Sequence, residues 1–399
     1  MDVDDEQIDE CEVGEEEEEV DEGQFYEEDP NAIYETSYLL TPVHSKDAVS
    51  VAISPSTKYV ATGGLDDVAL LFQTKQSLKV PFMVYPAKET VLELAFDPTE
   101  SFLAYVAENE VYIVDLKKFM TPRIVELDEQ VTLIAWNPLT TGKYDSNDYL
   151  IAVVPSMMYA AKLQVTENGV DLIYGFYFTG ESPTTIQITA DGERVVLADA
   201  SGQVSVFNTL DGSPLSQFNL KVPISSSAMG FGSTFAFGLS GGKVSLSNFG
   251  DNGKLKASGK LGEINDENVP VDAICFSSLP QRRYLAFATL SGSIELHDVQ
   301  AKNTLRFKYS CGNTSVLKLA FSSTVDKLYA GTYDGSLYVF DVHSDRVLDV
   351  YVSRGKINTF AFDIVPKDDG SVMACSVSSK GQLRYFLDPF PQDSSQMES

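Results

Sequence analysis

The side chains best suited to catalysis or metal binding are few and widely spaced in this sequence. The histidines are His44, His297 and His343, and the four cysteines follow no paired spacing and no C-x-x-C pattern. The patterns H-E-x-x-H and G-x-S-x-G and the phosphate-binding P-loop are all absent. We therefore expect no catalytic residue, no metal site and no cofactor. We interpret the chain as a non-enzymatic protein with reduced thiols.

Carboxylates are the abundant functional groups. The chain has 58 Asp and Glu against 29 Lys and Arg, and 17 of the acids lie in residues 1–30, which contain no base. A stretch with this much charge cannot bury enough apolar surface to offset the entropy cost of ordering it. We therefore predict that residues 1–35 are a disordered acidic arm, and we expect residues 389–399 to be a disordered tail. A basic protein is the natural partner, whereas direct nucleic-acid binding needs a basic surface and is not expected.

The sequence also bears on location. It opens MDVDDEQIDE, without the basic and apolar regions of a secretory signal. It has no apolar run near the roughly 20 residues that span a bilayer. We expect an intracellular monomer that makes no membrane contact.

An internal repeat organises the rest of the chain. GQVSVFN at 202–208, GSIELHD at 292–298 and GSLYVFD at 335–341 share a Gly turn, a period-two alternation and a bulky residue before Asp or Asn. This pattern is typical of the third strand of a WD repeat, and five weaker copies follow the same frame. The residues in the position of the repeat's tryptophan, here called the slot, recur every 40–50 residues at Phe72, Val114, Ala161, Phe207, Ser247, His297, Phe340 and Phe386.

Eight copies predict an all-β, eight-bladed WD-repeat β-propeller over residues 36–388. Seven blades is the alternative, because Ala161 and Ser247 are weak slot residues. Closing the ring requires one blade to combine both ends of the domain, so we expect the strand near residues 36–44 to complete the last blade.

Several residues have predicted structural roles in this frame. His44 and Asp66 occupy the His and turn-Asp positions of the first repeat, which predicts a buried His–Asp–Ser/Thr hydrogen-bond network. Trp136, the single tryptophan, is expected to pack in the core, as are the slot residues Phe72, Phe207 and Phe340.

The predicted binding surface is the propeller face formed by the loops that enter each first strand and those that join the second and third strands. Acidic residues in these loops should give a negative potential that attracts a Lys- or Arg-rich segment, with Tyr333 able to stack on a guanidinium. For any one of these acids, a solvated loop carboxylate is the competing interpretation, and an internal hydrogen bond competes at Asp66 and Asp334. The predicted partner-binding residues are Asp66, Asp67, Glu89, Glu108, Glu110, Asp128, Glu129, Glu181, Asp199, Asp266, Glu267, Asp272, Tyr333 and Asp334.

From about residue 37 to 388 the chain resembles the WD-repeat family of the angio-associated migratory cell protein and its fungal ribosome-assembly counterpart. After an acidic leader, the segments that carry the resemblance are HSKDAVSVAISPSTKYVATGGLDDVALLF (44–72), AWNP (135–138), DGERVVLADASGQVSVFNTLDGSPL (191–215), LSGSIELHDVQAKNTLRF (290–307) and YDGSLYVFD (333–341). The resemblance implies an eight-bladed propeller that acts as a cytoplasmic chaperone for one very basic large-subunit ribosomal protein. A histone chaperone, in the nucleus, and a general signalling or trafficking scaffold are the alternatives.

Overall fold

The period-two alternation produces 32 short strands among the residues that the structure describes. In the computed structural model, the described residues are 39–76, 78–230, 234–250, 253–262, 269–279, 281–352 and 358–388. The strands form eight antiparallel four-stranded sheets, which are the blades. The eight-bladed all-β prediction is confirmed. The predicted acidic arm and C-terminal tail lie outside the described residues and stay predictions.

Blades 1 to 4 each use four consecutive strands, numbered in chain order. Blade 1 consists of β2 (Ala48–Ile53), β3 (Tyr59–Gly64), β4 (Val68–Gln73) and β5 (Met83–Pro86). Blade 2 consists of β6 (Val91–Phe96), β7 (Phe102–Ala107), β8 (Glu110–Asp115) and β9 (Arg123–Glu126). Blade 3 consists of β10 (Leu133–Trp136), β11 (Tyr149–Val154), β12 (Tyr159–Val165) and β13 (Val170–Tyr177). Blade 4 consists of β14 (Pro183–Ile188), β15 (Arg194–Asp199), β16 (Gln203–Asn208) and β17 (Pro214–Asn219).

Blades 5 to 8 follow the same plan, except that the last blade draws on both ends of the domain. Blade 5 consists of β18 (Ile224–Met229), β19 (Thr234–Leu239), β20 (Lys243–Phe249) and β21 (Leu255–Leu261). Blade 6 consists of β22 (Val271–Phe276), β23 (Tyr284–Thr289), β24 (Ser293–Asp298) and β25 (Thr304–Ser310). Blade 7 consists of β26 (Val316–Phe321), β27 (Lys327–Thr332), β28 (Leu337–Asp341) and β29 (Val347–Tyr351). Blade 8 consists of β30 (Thr359–Pro366), β31 (Val372–Ser378), β32 (Gln382–Asp388) and β1 (Leu39–Pro42).

The slot residues lie in the third strand of every blade, and each is at most 3% exposed. Even the small Ala161 and Ser247 are fully buried. The apolar clusters each combine two neighbouring blades, as where Trp136 of blade 3 stacks on Phe102 of blade 2 with ring centroids 5.8 Å apart. The Trp136 indole N–H also donates to the Ala95 carbonyl at 3.0 Å.

The ring closes between blades 7, 8 and 1. Strand β1 pairs antiparallel with β32, from Leu39 opposite Tyr385 to Pro42 opposite Gln382, as the sequence predicted. On the inner strands, Asp363 of blade 8 accepts a hydrogen bond from the Ile53 amide of blade 1 at 2.8 Å and pairs with Lys318 of blade 7 at 3.1 Å. One carboxylate therefore connects three blades. Within the described ranges, no helix has the length and apolar composition that a bilayer span requires.

Candidate protein-binding surface

The antiparallel blades define two distinct faces. Connections alternate between the two ends of successive strands. The loops between second and third strands and between consecutive blades therefore lie on one side, here called the upper face. The turns between first and second strands and between third and fourth strands lie on the opposite side, here called the lower face. The predicted acidic residues that the structure describes belong to the upper face. Asp266 and Glu267 lie outside the described residues.

Four of the predicted acids come together in one groove of about 700 Å³. The groove lies where upper-face loops of blades 1, 2 and 3 meet, at residues 87–90, 108–109 and 127–132. Its lining contains four carboxylates and one lysine, a formal charge of −3. The lining residues are Leu65, Lys88, Glu89, Thr90, Leu92, Glu108, Asn109, Asp128, Glu129 and Gln130.

The carboxylates of this acidic groove differ in how far they are already paired. Glu108 lies 3.3 Å from the Lys88 ammonium, and Asp128 accepts a hydrogen bond from the Tyr159 hydroxyl at 3.0 Å. Glu89 and Glu129 are exposed and form no ion pair with any residue that the structure describes. These two side chains are the most available to an incoming cation.

The pKa of Lys88 reports the local negative potential. Its hydrogen bond to Glu108 raises that pKa, and the charges of Glu108, Glu110 and Glu126 raise it further. The groove already holds one protein ammonium in this way.

Sequence reasoning missed the part of the groove that is not acidic. Leu65 and Leu92 are 37% and 43% exposed and provide an apolar surface between the carboxylates. Such a surface suits the aliphatic stems of lysine and arginine. Leu65 lies in the turn after β3 and Leu92 near the start of β6, and these positions at the upper ends of strands are the signal that could have indicated both residues.

Other predicted acids lie elsewhere on the upper face and do not line the groove. Asp67, half-buried, lies in the blade 1 turn, and Glu181, exposed, lies between blades 3 and 4. Glu110 accepts a hydrogen bond from the Tyr112 hydroxyl. Asp272 of blade 6 accepts one from Ser315 at 3.0 Å, and burial raises the pKa of this carboxyl. Tyr333 of blade 7 is 41% exposed. The structure therefore does not gather all predicted residues into one site.

Three predicted partner-binding carboxylates form hydrogen bonds within their own blades. Asp199 is 4% exposed and accepts hydrogen bonds from the amides of Glu181, Ser201 and Gln203. Asp334 accepts hydrogen bonds from the Thr332 hydroxyl and the Ser336 amide. Asp66 is held by His44 and Ser45. These oxygens shape turns, which is the competing interpretation of Asp66 and Asp334, and partner binding by all three residues stays a prediction.

His44 lies in the hydrogen-bond network that the first repeat predicts. Its Nδ1 lies 2.8 Å from Asp66 Oδ1, and its Nε2 lies 2.8 Å from the Thr62 hydroxyl. Because the carboxylate can only accept, Nδ1 donates and Nε2 accepts from Thr62. Gly64 leaves room for this arrangement, since a Cβ there would lie 2.6 Å from both His44 Nδ1 and Asp66 Oδ1.

Burial determines the charge state of the network. It lowers the pKa of His44 more than Asp66 raises it, so the ring is neutral at pH 7. Burial alone would raise the pKa of Asp66, but hydrogen bonds from Ser45 and His44 outweigh it and leave that pKa below its ordinary value. A neutral imidazole held between two side chains stiffens the blade.

Replacing Thr62 with valine should lower the free energy of unfolding by about 1–2 kcal/mol, because His44 Nε2 would be buried without its donor. Urea denaturation followed by circular dichroism measures the change. Thr304→Val is the control: its hydroxyl is exposed and bonds only the nearby Ala301 carbonyl, so a change within about 0.5 kcal/mol is expected. Equal losses in both variants would contradict the role of the network.

The remaining histidines belong to different blades, His297 to β24 of blade 6 and His343 to the turn after β28 of blade 7. His297 fills the blade 6 slot, 3% exposed, and its Nε2 is 2.8 Å from the fully buried Glu295. His343 lies at the lower face, 3.1 Å from Asp326. Among the described residues, no group of three or more His, Cys, Asp or Glu side chains is arranged to hold a metal ion.

Comparison with known proteins agrees with this architecture. The family model for the WD domain, G-beta repeat, matches residues 37–73 and 303–341. Among curated protein sequences, none matches the chain. The crystal structure of Saccharomyces cerevisiae Sqt1 is similar with a TM-score of 0.76 at 17% identity, over 89% of this chain and 99% of that one.

A second similar structure has a partner. Chaetomium thermophilum Sqt1 bound to the N-terminus of the ribosomal protein L10 gives a TM-score of 0.73 at 15% identity, over 88% of this chain and 100% of that one. At these identities the likeness establishes the fold. This chain carries WD repeats and has the eight-bladed propeller fold of the Sqt1 structures.

Proposed function

We propose that the chain is a non-enzymatic chaperone or assembly factor for a basic large-subunit ribosomal protein, which it binds at the acidic upper face. The observation that carries the proposal is the acidic groove, with its exposed Glu89 and Glu129 and a formal charge of −3. The similar Sqt1 propeller from Chaetomium thermophilum, bound to the N-terminus of ribosomal protein L10, supports an N-terminal segment of such a protein as the client.

The groove would bind by charge matching combined with limited apolar contact. Lysine or arginine heads would pair with Glu89, Asp128 and Glu129, while their aliphatic stems lie against Leu65 and Leu92. Carboxylates that share one concave surface add their potentials, which speeds the encounter and excludes acidic competitors. While bound, the basic segment would be kept from non-specific contact with RNA.

The acidic N-terminal segment has a kinetic role in this proposal. Deleting residues 1–30, which removes 17 carboxylates, should slow association with the client by about tenfold at low salt and change dissociation little. Stopped-flow fluorescence at two ionic strengths measures both rates. Replacing residues 1–30 with a Gly/Ser segment of equal length is the control for chain length. If the deletion instead leaves the association rate unchanged and only speeds dissociation, the segment makes specific contacts with the client.

Affinity purification of the full chain, at low and moderate salt and followed by mass spectrometry, tests the identity of the client. We expect one large-subunit ribosomal protein from cytosolic extract that is retained at moderate salt. Histones recovered from nuclear extract instead would favour the histone-chaperone alternative. Several partners whose binding does not depend on the acidic groove would indicate a general scaffold.

A further inference from the structure

The lower face holds a second cleft, with a character opposite to that of the acidic groove. It measures about 690 Å³ and lies where blades 3, 4 and 5 meet. Its walls include the turns between the first and second strands of blades 3 and 4, the turn between the third and fourth strands of blade 4, and Gly253 and Lys254 of blade 5. Because those turns are all on the lower face, a ligand there would not compete with one in the acidic groove.

Lys162 provides a buried cation in the cleft wall. Its residue is 9% exposed, and its ammonium donates to the Thr209 carbonyl at 2.8 Å. The same group lies 4.1 Å from the centre of the Tyr149 ring and 3.5 Å from the Tyr174 hydroxyl. No Asp or Glu in the described part of the chain forms an ion pair with it, and burial lowers the pKa of Lys162. An aromatic face and a carbonyl dipole therefore stabilise the cation without a counter-charge.

The carboxylates that line the cleft are already used by another cation. Arg194 lies 3.4 Å from Asp191 and 3.7 Å from Glu193, and its guanidinium stacks on Phe249 at 4.8 Å. The charge of Lys162 is therefore not balanced by these carboxylates, and the cleft favours an anionic ligand near Lys162. This is unusual in a chain whose formal net charge is −29.

Exposed apolar side chains border the same cleft. Leu139, Ile173 and Leu210 are 46%, 48% and 81% exposed. Leu210 lies in the turn that also supplies the Thr209 carbonyl to Lys162, so apolar and cationic surfaces are adjacent. A small inorganic anion could satisfy Lys162 but would leave these leucines and the isoleucine in water. A peptide with an acidic side chain beside an apolar one matches both.

We propose that this lower-face cleft is a binding site for an acidic peptide segment of a partner protein. One Asp or Glu carboxylate pairs with the Lys162 ammonium, and a neighbouring Leu, Ile or Val packs against Leu210 and Ile173. The site is independent of client binding at the upper face and would let one propeller hold a basic client and an acidic partner at once.

The test uses a fluorescein-labelled octapeptide of alternating Glu and Leu with the full chain, and fluorescence anisotropy as the readout. We expect saturable binding that weakens by at least about tenfold when the peptide's Glu residues are replaced by Gln, since a charge-assisted hydrogen bond is lost. Lys162→Met, which keeps a long side chain but removes the charge, should weaken the Glu peptide by a similar factor. Lys143→Met is the matched control, because Lys143 is exposed on a loop that contributes to the cleft but does not line it.

Thermal unfolding of both variants shows whether Lys162→Met still folds. Leu210→Ser, at an exposed turn position, gives a second variant that does not alter buried residues and should weaken binding several-fold. Equal affinity for the Glu and Gln peptides, or unchanged binding by folded Lys162→Met, would overturn the proposal. Displacement by an equal concentration of inorganic phosphate would also overturn it, because the cleft would then be a small-anion site. None of these outcomes bears on the upper-face client.

Discussion

Under the proposed function, a triple variant in which Glu89, Asp128 and Glu129 become lysine should bind a basic N-terminal segment of a large-subunit ribosomal protein at least about 100-fold more weakly than the unaltered chain does. The change converts the formal charge of the acidic groove from −3 to +3. Near a protein surface, each attractive contact with a cation that becomes repulsive costs on the order of 1 kcal/mol of binding free energy after screening. Three such contacts together account for a loss of affinity of about 100-fold. Isothermal titration calorimetry at 50 and 200 mM salt measures the affinities.

Asp66 is deliberately omitted from this variant. Asp66 accepts hydrogen bonds from His44 Nδ1 and from the Ser45 amide. Reversing the charge of Asp66 would therefore damage blade 1, and a loss of binding could not be separated from a loss of folding. Asp128 also accepts the Tyr159 hydroxyl, so a thermal melt must show that the triple variant folds.

The matched control carries the same change in net charge on the other face. Glu167, Asp345 and Asp368 are exposed in lower-face turns, and converting all three to lysine should weaken client binding by no more than about threefold. If both triple variants lose affinity equally, total charge rather than the groove governs binding. If neither does, the proposed surface is wrong.

The largest stability effect is expected at Asp388, the last residue of β32. Its carboxylate accepts hydrogen bonds from the Lys327 ammonium at 2.6 Å, the Tyr329 hydroxyl at 2.5 Å and the Tyr351 hydroxyl at 2.9 Å. All three donors belong to blade 7, so the Asp388 carboxylate connects blade 8 to blade 7. Asp388 is 5% exposed.

Asp388→Asn should lower the free energy of unfolding by about 3–4 kcal/mol. An amide has one acceptor oxygen and places an N–H₂ against at least one remaining donor, which leaves a buried polar group or charge without its partner. Guanidinium denaturation measures the difference. Asp345→Asn is the control, since Asp345 is exposed in a blade 7 turn and its change should stay within about 0.5 kcal/mol.

The pH dependence of this difference checks its cause. Burial alone would raise the pKa of Asp388, but the hydrogen bonds from Lys327, Tyr329 and Tyr351 outweigh it and lower that pKa below its ordinary value of 3.8. A carboxyl with a lowered folded-state pKa contributes its full stability above the unfolded-state value and loses it as the pH falls through the folded-state value. The gap between the unaltered chain and Asp388→Asn should therefore be constant from pH 5 to 7 and shrink below about pH 4. A gap that grows as the solution is acidified would exclude this explanation.

Much of the architecture was predictable because its determinants are local. Alternation of period two predicts strands, and the Gly turn before a bulky slot residue recurs once per blade, so counting slots counted blades. The weak slots at Ala161 and Ser247 did not break the pattern, since their neighbouring strands still alternate. The pairing of β1 with β32 followed from the closure requirement alone.

The sequence by itself favoured eight blades over seven, paired the first strand with the last blade and predicted the face to which each acidic loop belongs. Only the tertiary structure decided which carboxylates are available, because that depends on hydrogen bonds within each turn and on side chains from the next blade, about 40 residues away. Asp199 and Glu89 are both loop-side acids in the sequence, yet Asp199 is buried under three backbone amides and Glu89 is exposed in a groove that three blades build. The lower-face cleft likewise depends on the tertiary structure. Lys162 and Tyr149 belong to blade 3, but the Thr209 carbonyl and the Leu210 side chain come from blade 4. The spacing of residues along the sequence does not predict such contacts between side chains of different blades.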